Sequence, residues 1–195
     1  MLRWLVSIIA TILRLVVPCK VYGKENITKR NTVYMCNHQS ITDMVILLAH
    51  LPSNTHFIAK KEIFKNKFFA WVLKEVRVFP VDRETADLKA IKHACNLLKD
   101  GNNLMIFPQG TRTDSPYIKL EEMHSGTGMF ALKNQSTVIP MMFKSKPKFF
   151  KKNTLYIGKP LDLSSFAGKK ANSQVLSEFT ELAYKSMNSL LEENQ

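Results

Sequence analysis

A chain of 195 residues with 45% hydrophobic content is long enough for one domain with a real core, which excludes a disordered polypeptide. The formal charge of +12 calls for an anionic partner: a membrane surface, a nucleic acid, or an acidic protein or substrate. Only six of the 28 cations are Arg, which favours a diffuse anionic surface over direct base readout, and the scattered Cys19, Cys36 and Cys95 make neither a zinc site nor a disulfide framework, so a reducing compartment fits.

Met1 to Val17 is strongly apolar. Its polar residues, Arg3, Ser7, Thr11 and Arg14, fall at spacings of four, four and three, which makes one stripe along a helix. The run is shorter than the roughly 20 apolar residues that a spanning helix needs. Val17-Pro18-Cys19-Lys20 offers no small-residue cleavage site, so a signal peptide does not fit. Pro18 pushes Val17 out of the helical region and ends the helix. The expected organisation is an amphipathic, membrane-interfacial helix over residues 1–20 and one folded domain over residues 21–195. The plainer reading is a helix packed on the domain's own core.

From Thr32 onward, strand-like and helix-like runs alternate. Strands are expected at Thr32–Cys36, His56–Ala59, Arg77–Val81, Leu104–Phe107, Thr137–Phe143 and Thr154–Ile157. Helices are expected at Ser40–Leu51, Asn66–Glu75, Thr85–Asp100 (stopped by Gly101), Gly126–Asn134 and Ser173–Leu191. The alternation predicts an α/β fold: a layered mixed sheet flanked by helices.

Cys36-Asn37-His38-Gln39-Ser40-Ile41-Thr42-Asp43 is the stretch around which the rest is organised. His38 stands at a strand exit and Asp43 in the first turn of the next helix. In open α/β sheets, sites form where strand ends meet helix starts. Asp43 can fold back onto the imidazole, and such a pair is a general base that works near neutral pH. Ser40 to Asp43 equally fits a capping box with no catalytic role. A Cys36 nucleophile served by a His38 base is a chemical rival, although an apolar strand favours Cys36 as a core residue. His50, His56, His93 and His124 form no H-E-x-x-H, so neither a metal nor a permanently bound cofactor is expected.

A second constellation follows the Leu104–Phe107 strand. Pro108-Gln109-Gly110-Thr111-Arg112 offers backbone N–H groups, a hydroxyl and a guanidinium, which together suit a phosphate. Val78-Phe79-Pro80-Val81-Asp82-Arg83 is another strand leading to an Arg, and Lys60-Lys61-Glu62 follows a third. Read blandly, these are a surface turn, an Asp82/Arg83 surface pair and a solvated charge run. Two segments mix Lys with aromatics as interfacial segments do: Lys65, Lys67, Phe68, Phe69 and Trp71, and then Lys144 to Lys152 around Phe149 and Phe150.

Taken together, these residues resemble the glycerolipid acyltransferase family, most closely its 1-acyl-sn-glycerol-3-phosphate acyltransferases. Asn37-His38 with Asp43 resembles the first motif, Phe79 to Arg83 the second, Phe107 to Arg112 the third, and Val138-Ile139-Pro140 the fourth, in family order. Gln109 stands where the family usually has Glu, which keeps the size and one acceptor but loses the charge. Pro80 interrupts the second motif's apolar run. The resemblance implies acyl transfer from acyl-CoA or acyl-carrier protein to the free hydroxyl of lysophosphatidic acid. It casts His38 and Asp43 as catalytic, and Arg83, Gln109, Gly110, Thr111 and Arg112 as substrate-binding. It also implies a peripheral or monotopic protein on the cytoplasmic face of the cell membrane, with a lipid surface and no nucleic acid as partner. The alternatives are another acceptor, such as glycerol 3-phosphate or another lysolipid, and a non-catalytic lipid-binding protein on the same fold. A nucleic-acid-binding module is suggested by charge alone and is opposed by the apolar N-terminal run.

Overall fold

A computed structural model describes residues 13–82 and 87–194. Seven strands form one sheet: β1 (Cys19–Tyr22), β2 (Thr32–Cys36), β3 (Thr55–Lys60), β4 (Val78–Val81), β5 (Asn103–Ile106), β6 (Thr137–Phe143) and β7 (Asn153–Ile157). Their spatial order is β1-β7-β6-β2-β5-β3-β4. Strands β2 to β6 run parallel, β7 runs antiparallel to β6, and β1 is parallel to β7. The sheet is therefore mixed, as expected, with the antiparallel pairing confined to one side.

The central strand β2 is wholly buried and reads as a continuous apolar run, as strands covered on both faces do. Its side chains alternate between two cores. Val33 and Met35 join Leu104, Val138 and Met142 beneath helices α3 (Leu88–Lys99), α4 (Gly126–Lys133) and α5 (Ser173–Glu192). Tyr34 and Cys36 join Phe57, Met105, Ile139 and Met141 beneath α1 (Ile41–His50) and α2 (Lys67–Glu75).

Most predicted elements lie within a residue or two of the observed ones. β1 was absent from the expectation. It has four residues and half-exposed alternation, and it owes its place to register with β7, where Cys19 stands opposite Asn153. The sheet thus takes in Cys19 and Lys20, which the sequence assigned to the N-terminal segment.

The amphipathic-helix expectation falls mostly on residues 1–12, outside those described. Residues 13–16 are helical, and Val17 N–H donates to the Leu13 carbonyl at 2.8 Å. Arg14 belongs to the stripe expected to face lipid headgroups, yet its Nε and Nη2 both donate to the Ala49 carbonyl, at 3.0 and 2.7 Å. The last carbonyls of a helix lack intrahelical partners and carry partial negative charge, so a guanidinium at the end of α1 is favourable there. Leu15, beside it, points outward and is 76% exposed.

Candidate active site

β2 stops at Cys36 and α1 starts at Ile41, so four residues make the turn between them. The chain passes from β2 rightward to β3, while β6 lies on β2's other side. The turn therefore sits at a point where the strand order reverses, which is where open α/β sheets open a crevice. Asn37 holds that crevice at its base. Its Oδ1 accepts the Phe143 N–H at 2.8 Å, and its Nδ2 donates to the carbonyls of Phe143 and Pro116 at 3.1 and 2.9 Å. The side chain thus clamps the ends of β2 and β6 to the loop after β5.

Asp43 does two things at once. It closes a capping box with Ser40 at the start of α1, and its Oδ2 accepts from Ser40 N–H at 2.8 Å and Gln39 N–H at 2.6 Å. The same oxygen lies 2.9 Å from His38 Nδ1. The structural and the catalytic readings of the motif are therefore not rivals: one carboxylate serves both. A carboxylate only accepts here, so Nδ1 carries the hydrogen and Nε2 keeps its lone pair. The Asp43 side chain is fully buried, whereas that of His38 is 16% exposed.

The backbone and one ring face of His38 are fixed as well. Its N–H donates to Gln109 Oε1 at 3.0 Å, and its carbonyl accepts from Thr113 N–H at 2.9 Å. Phe107 stacks on the ring, with centroids 4.0 Å apart and planes 16° from parallel. Sequence reasoning assigned no role to Phe107 or Thr113. The signal was present, since both stand in or beside the quoted third motif, but only the fold reveals that this loop lies against His38.

Gln109 is buried, and its amide is engaged inside the protein. Besides accepting from His38, it donates through Nε2 to Thr113 Oγ1 at 3.0 Å and to Glu122 Oε2 at 3.2 Å. Glu122 supplies a reason for Gln over Glu at this position. A carboxylate at 109 would lose both donor bonds and would face a second carboxylate at close range. Gln109→Glu is expected to lower activity about tenfold at pH 7, since the cost of one like-charge contact and a lost hydrogen bond is roughly 1–2 kcal/mol. The paired carboxylates raise the apparent pKa of one of them in the folded state above its unfolded value. The protonated pair is then compatible with folding, and the variant's stability falls as pH rises through that raised value. Measured Tm should therefore approach wild type near pH 5 and diverge toward pH 8. Gln109→Glu combined with Glu122→Gln should recover activity, and a double variant no better than the single would contradict the pairing.

The remaining predicted residues divide. Gly110 takes a left-handed backbone, φ 65°, and its N–H closes the turn onto the Phe107 carbonyl at 3.0 Å. Thr111 and Arg112 are exposed on the same loop, immediately before the residue that binds the His38 carbonyl. Arg83 lies outside the described residues. Asp82 pairs with Lys61 across the ends of β3 and β4. Cys36 is fully buried; burial first, and the charge of Asp43 second, push its thiol well above the usual range. It is a core residue and no nucleophile. Among the described residues, no group of three or more His, Cys, Asp or Glu side chains is placed to hold a metal ion.

A shallow groove of about 320 Å³ opens at the start of α1, between Ile41 and Thr42 on one side and Pro147 and Phe149 on the other. A larger cavity of about 480 Å³, lined by Leu132, Leu163 and Phe166 among others, lies around the loop that enters β6, at the opposite end of the sheet from His38.

Comparison with known proteins gives this arrangement a family. The acyltransferase family profile matches residues 18–144, the span that carries His38, Asp43 and the Gln109 loop. A 1-acyl-sn-glycerol-3-phosphate acyltransferase of Bacillus subtilis is 34% identical over 174 residues, covering 86% of this chain and 85% of that protein. A protein of the same name from Streptococcus pneumoniae is 28% identical over 152 residues, which is 74% of this chain and 54% of its own length. The crystal structure of the 1-acyl-sn-glycerophosphate (LPA) acyltransferase PlsC from Thermotoga maritima superposes with a TM-score of 0.74 at 25% identity, over 98% of this chain and 80% of that one. Since the profile spans the sheet's central strands together with the His38 and Gln109 loops, the chain belongs to the acyltransferase family.

Proposed function

We infer that the protein is an enzyme that moves a fatty acyl group from a thioester to the free hydroxyl of lysophosphatidic acid, giving phosphatidic acid for phospholipid synthesis. The observation that carries this reading is the His38 imidazole, 16% exposed, with Nδ1 held by the buried Asp43 and Nε2 without a hydrogen-bond partner among the described residues. The relatives named above as 1-acyl-sn-glycerol-3-phosphate acyltransferases support the choice of acceptor.

In the reaction, His38 Nε2 takes the hydroxyl proton as the oxygen attacks the thioester carbonyl. A carbon–oxygen bond forms, and the carbon–sulfur bond breaks as the tetrahedral intermediate collapses. The imidazolium returns its proton to the departing thiolate. Asp43 holds the tautomer and stabilises the imidazolium that forms between the two transfers. No acyl-enzyme is required, because the thioester is already activated and the acceptor is an alcohol. Arg112 and Thr111, exposed beside His38, suit the acceptor's phosphate, with Arg83 as a further cation. The donor is acyl-CoA or acyl-carrier protein.

Membrane association belongs to this reading, since both acceptor and product are lipids. On this reading the protein sits on the cytoplasmic face of the cell membrane as a peripheral or monotopic protein; among the described residues no helix is long and apolar enough to cross a membrane. A second reading keeps the chemistry and changes the acceptor to glycerol 3-phosphate or another lysolipid. The test is acyl transfer with lysophosphatidic acid and glycerol 3-phosphate side by side. Preference for lysophosphatidic acid supports the first reading, and preference for glycerol 3-phosphate supports the second.

A further inference from the structure

Glu122 belongs to none of the four motifs, yet the fold holds it firmly against the site. The segment that carries it, between the third-motif loop and α4, is pinned at both ends. At one end Ile118 is buried, and Asn188 of α5 binds its backbone twice. Asn188 Oδ1 accepts the Ile118 N–H at 3.0 Å, and its Nδ2 donates to the Ile118 carbonyl at 2.9 Å. At the other end His124 N–H donates to the Pro108 carbonyl at 2.9 Å, so the chain returns to the third-motif loop itself. Between these clamps Leu120–Glu122 makes a single 3-10 turn, closed by Met123 N–H on the Leu120 carbonyl at 3.1 Å. The turn delivers the partly buried Glu122 carboxylate to Gln109 Nε2, at 3.2 Å.

The Gln109 amide could lie either way round by size alone, since its oxygen and nitrogen occupy similar space. Its neighbours decide between the two. A carboxylate only accepts, so Glu122 requires Nε2 to face it. The Thr113 hydroxyl donates to the Ser115 carbonyl at 3.2 Å and therefore also accepts from Nε2, at 3.0 Å. A hydroxyl can rotate and donate instead, which a carboxylate cannot do. With Nε2 committed to these two partners, Oε1 is left to accept the His38 N–H. A flipped amide would set Nε2 against that N–H, donor against donor, and Oε1 against the carboxylate. One acceptor-only carboxylate, Asp43, thus orients the imidazole directly. A second orients the peptide that carries it, through an amide.

We propose that Glu122 is a positioning residue of this active site: its carboxylate, held against Gln109 Nε2, sets the polarity of the Gln109 amide and so keeps an acceptor on the His38 N–H. The role rests on His38 as the general base of the proposed acyl transfer. It goes beyond the avoidance of paired charges at positions 109 and 122, because what Glu122 supplies is an acceptor and not its negative charge.

The test is steady-state acyl transfer by the full chain, with thermal unfolding and NMR hydrogen exchange at the His38 N–H followed in the same variants. Glu122→Gln removes the charge and keeps an acceptor, so kcat should stay within about twofold of wild type. Glu122→Met keeps the size and removes the acceptor. Its kcat should fall about tenfold, with KM for both substrates within about twofold, faster exchange at His38 N–H, and a Tm close to wild type. Gln109→Met removes the amide on which Glu122 acts. In that background Glu122→Met should lower kcat by less than about twofold more, because nothing is left to orient. Equal losses in Glu122→Gln and Glu122→Met would assign the effect to charge and overturn the proposal. Losses that multiply in the double variant, or wild-type kcat in Glu122→Met, would overturn it too. Should Gln109→Met fail to fold, the contrast between Glu122→Gln and Glu122→Met decides alone. Absence of transfer by wild type with any thioester would overturn the proposed reaction instead, with exchange at His38 N–H still deciding whether Glu122 orients the amide.

Discussion

His38→Ala lowers kcat for acyl transfer by at least about 100-fold, the usual contribution of a positioned general base, while the protein stays folded. The two halves of that expectation come from different contacts. The activity loss follows from removing Nε2, the free nitrogen beside which the attacking hydroxyl must lie. Retention of the fold follows because the backbone of residue 38, not its ring, makes the long-range links: its N–H to Gln109 and its carbonyl to Thr113 survive the substitution. What the fold loses is the stack on Phe107 and the Nδ1 contact with Asp43, whose Oδ2 keeps the Gln39 and Ser40 N–H groups, together about 2–3 kcal/mol. Thermal unfolding followed beside kcat separates the two. A variant that unfolds outright would make the kinetic loss uninformative, and one that keeps wild-type kcat would remove His38 from the chemistry.

Asp43 is expected to differ from His38 because its carboxylate is both partner and cap. Asp43→Ala leaves the buried N–H of Gln39 and the partly buried N–H of Ser40 without their acceptor, and it opens the turn at the start of α1. Stability should fall on the order of 3 kcal/mol, the range for a broken buried charged contact. Activity should fall at least about 100-fold as well. Asp43→Asn separates the roles. An amide oxygen can still accept from the backbone, so most stability should return. The oxygen that accepts from Gln39 and Ser40 is also the one that faces Nδ1, so the amide keeps the tautomer, but it carries no charge to stabilise the imidazolium, and kcat should stay low. If Asp43→Asn instead recovers activity together with Tm, Asp43 acts on the fold and not on the imidazole.

How far the sequence spoke for this structure depended on the range of the interaction. Local signals carried well. The run Thr32–Cys36 reads as a buried strand from five residues, and Ser40 to Asp43 reads as a helix start from four, because both rest on contacts within one turn or one strand. The proximity of Asp43 to His38 was legible for the same reason, being five residues apart. Contacts set by topology were not. Asn37 reaches Phe143 across 106 residues and Gln109 reaches His38 across 71, and no periodicity or composition encodes which loops the sheet brings together. Gln109 illustrates the consequence. Its family position suggested contact with the acceptor, whereas burial and the Glu122 carboxylate explain its amide from inside the protein. β1 was illegible because a four-residue edge strand gains its stability from a neighbour more than from its own residues. Arg14 was read as part of a polar stripe, without its partner, since nothing local announces that the end of α1 will lie beside it.

The measurement that tests the central claim most directly follows phosphatidic acid and free thiol together, in anionic vesicles carrying lysophosphatidic acid and supplied with an acyl thioester, for wild type and His38→Ala. The account predicts phosphatidic acid and thiol appearing in equal amounts with wild type and at least about 100-fold more slowly with the variant. Thiol released without phosphatidic acid, or equal rates in the two proteins, would contradict it.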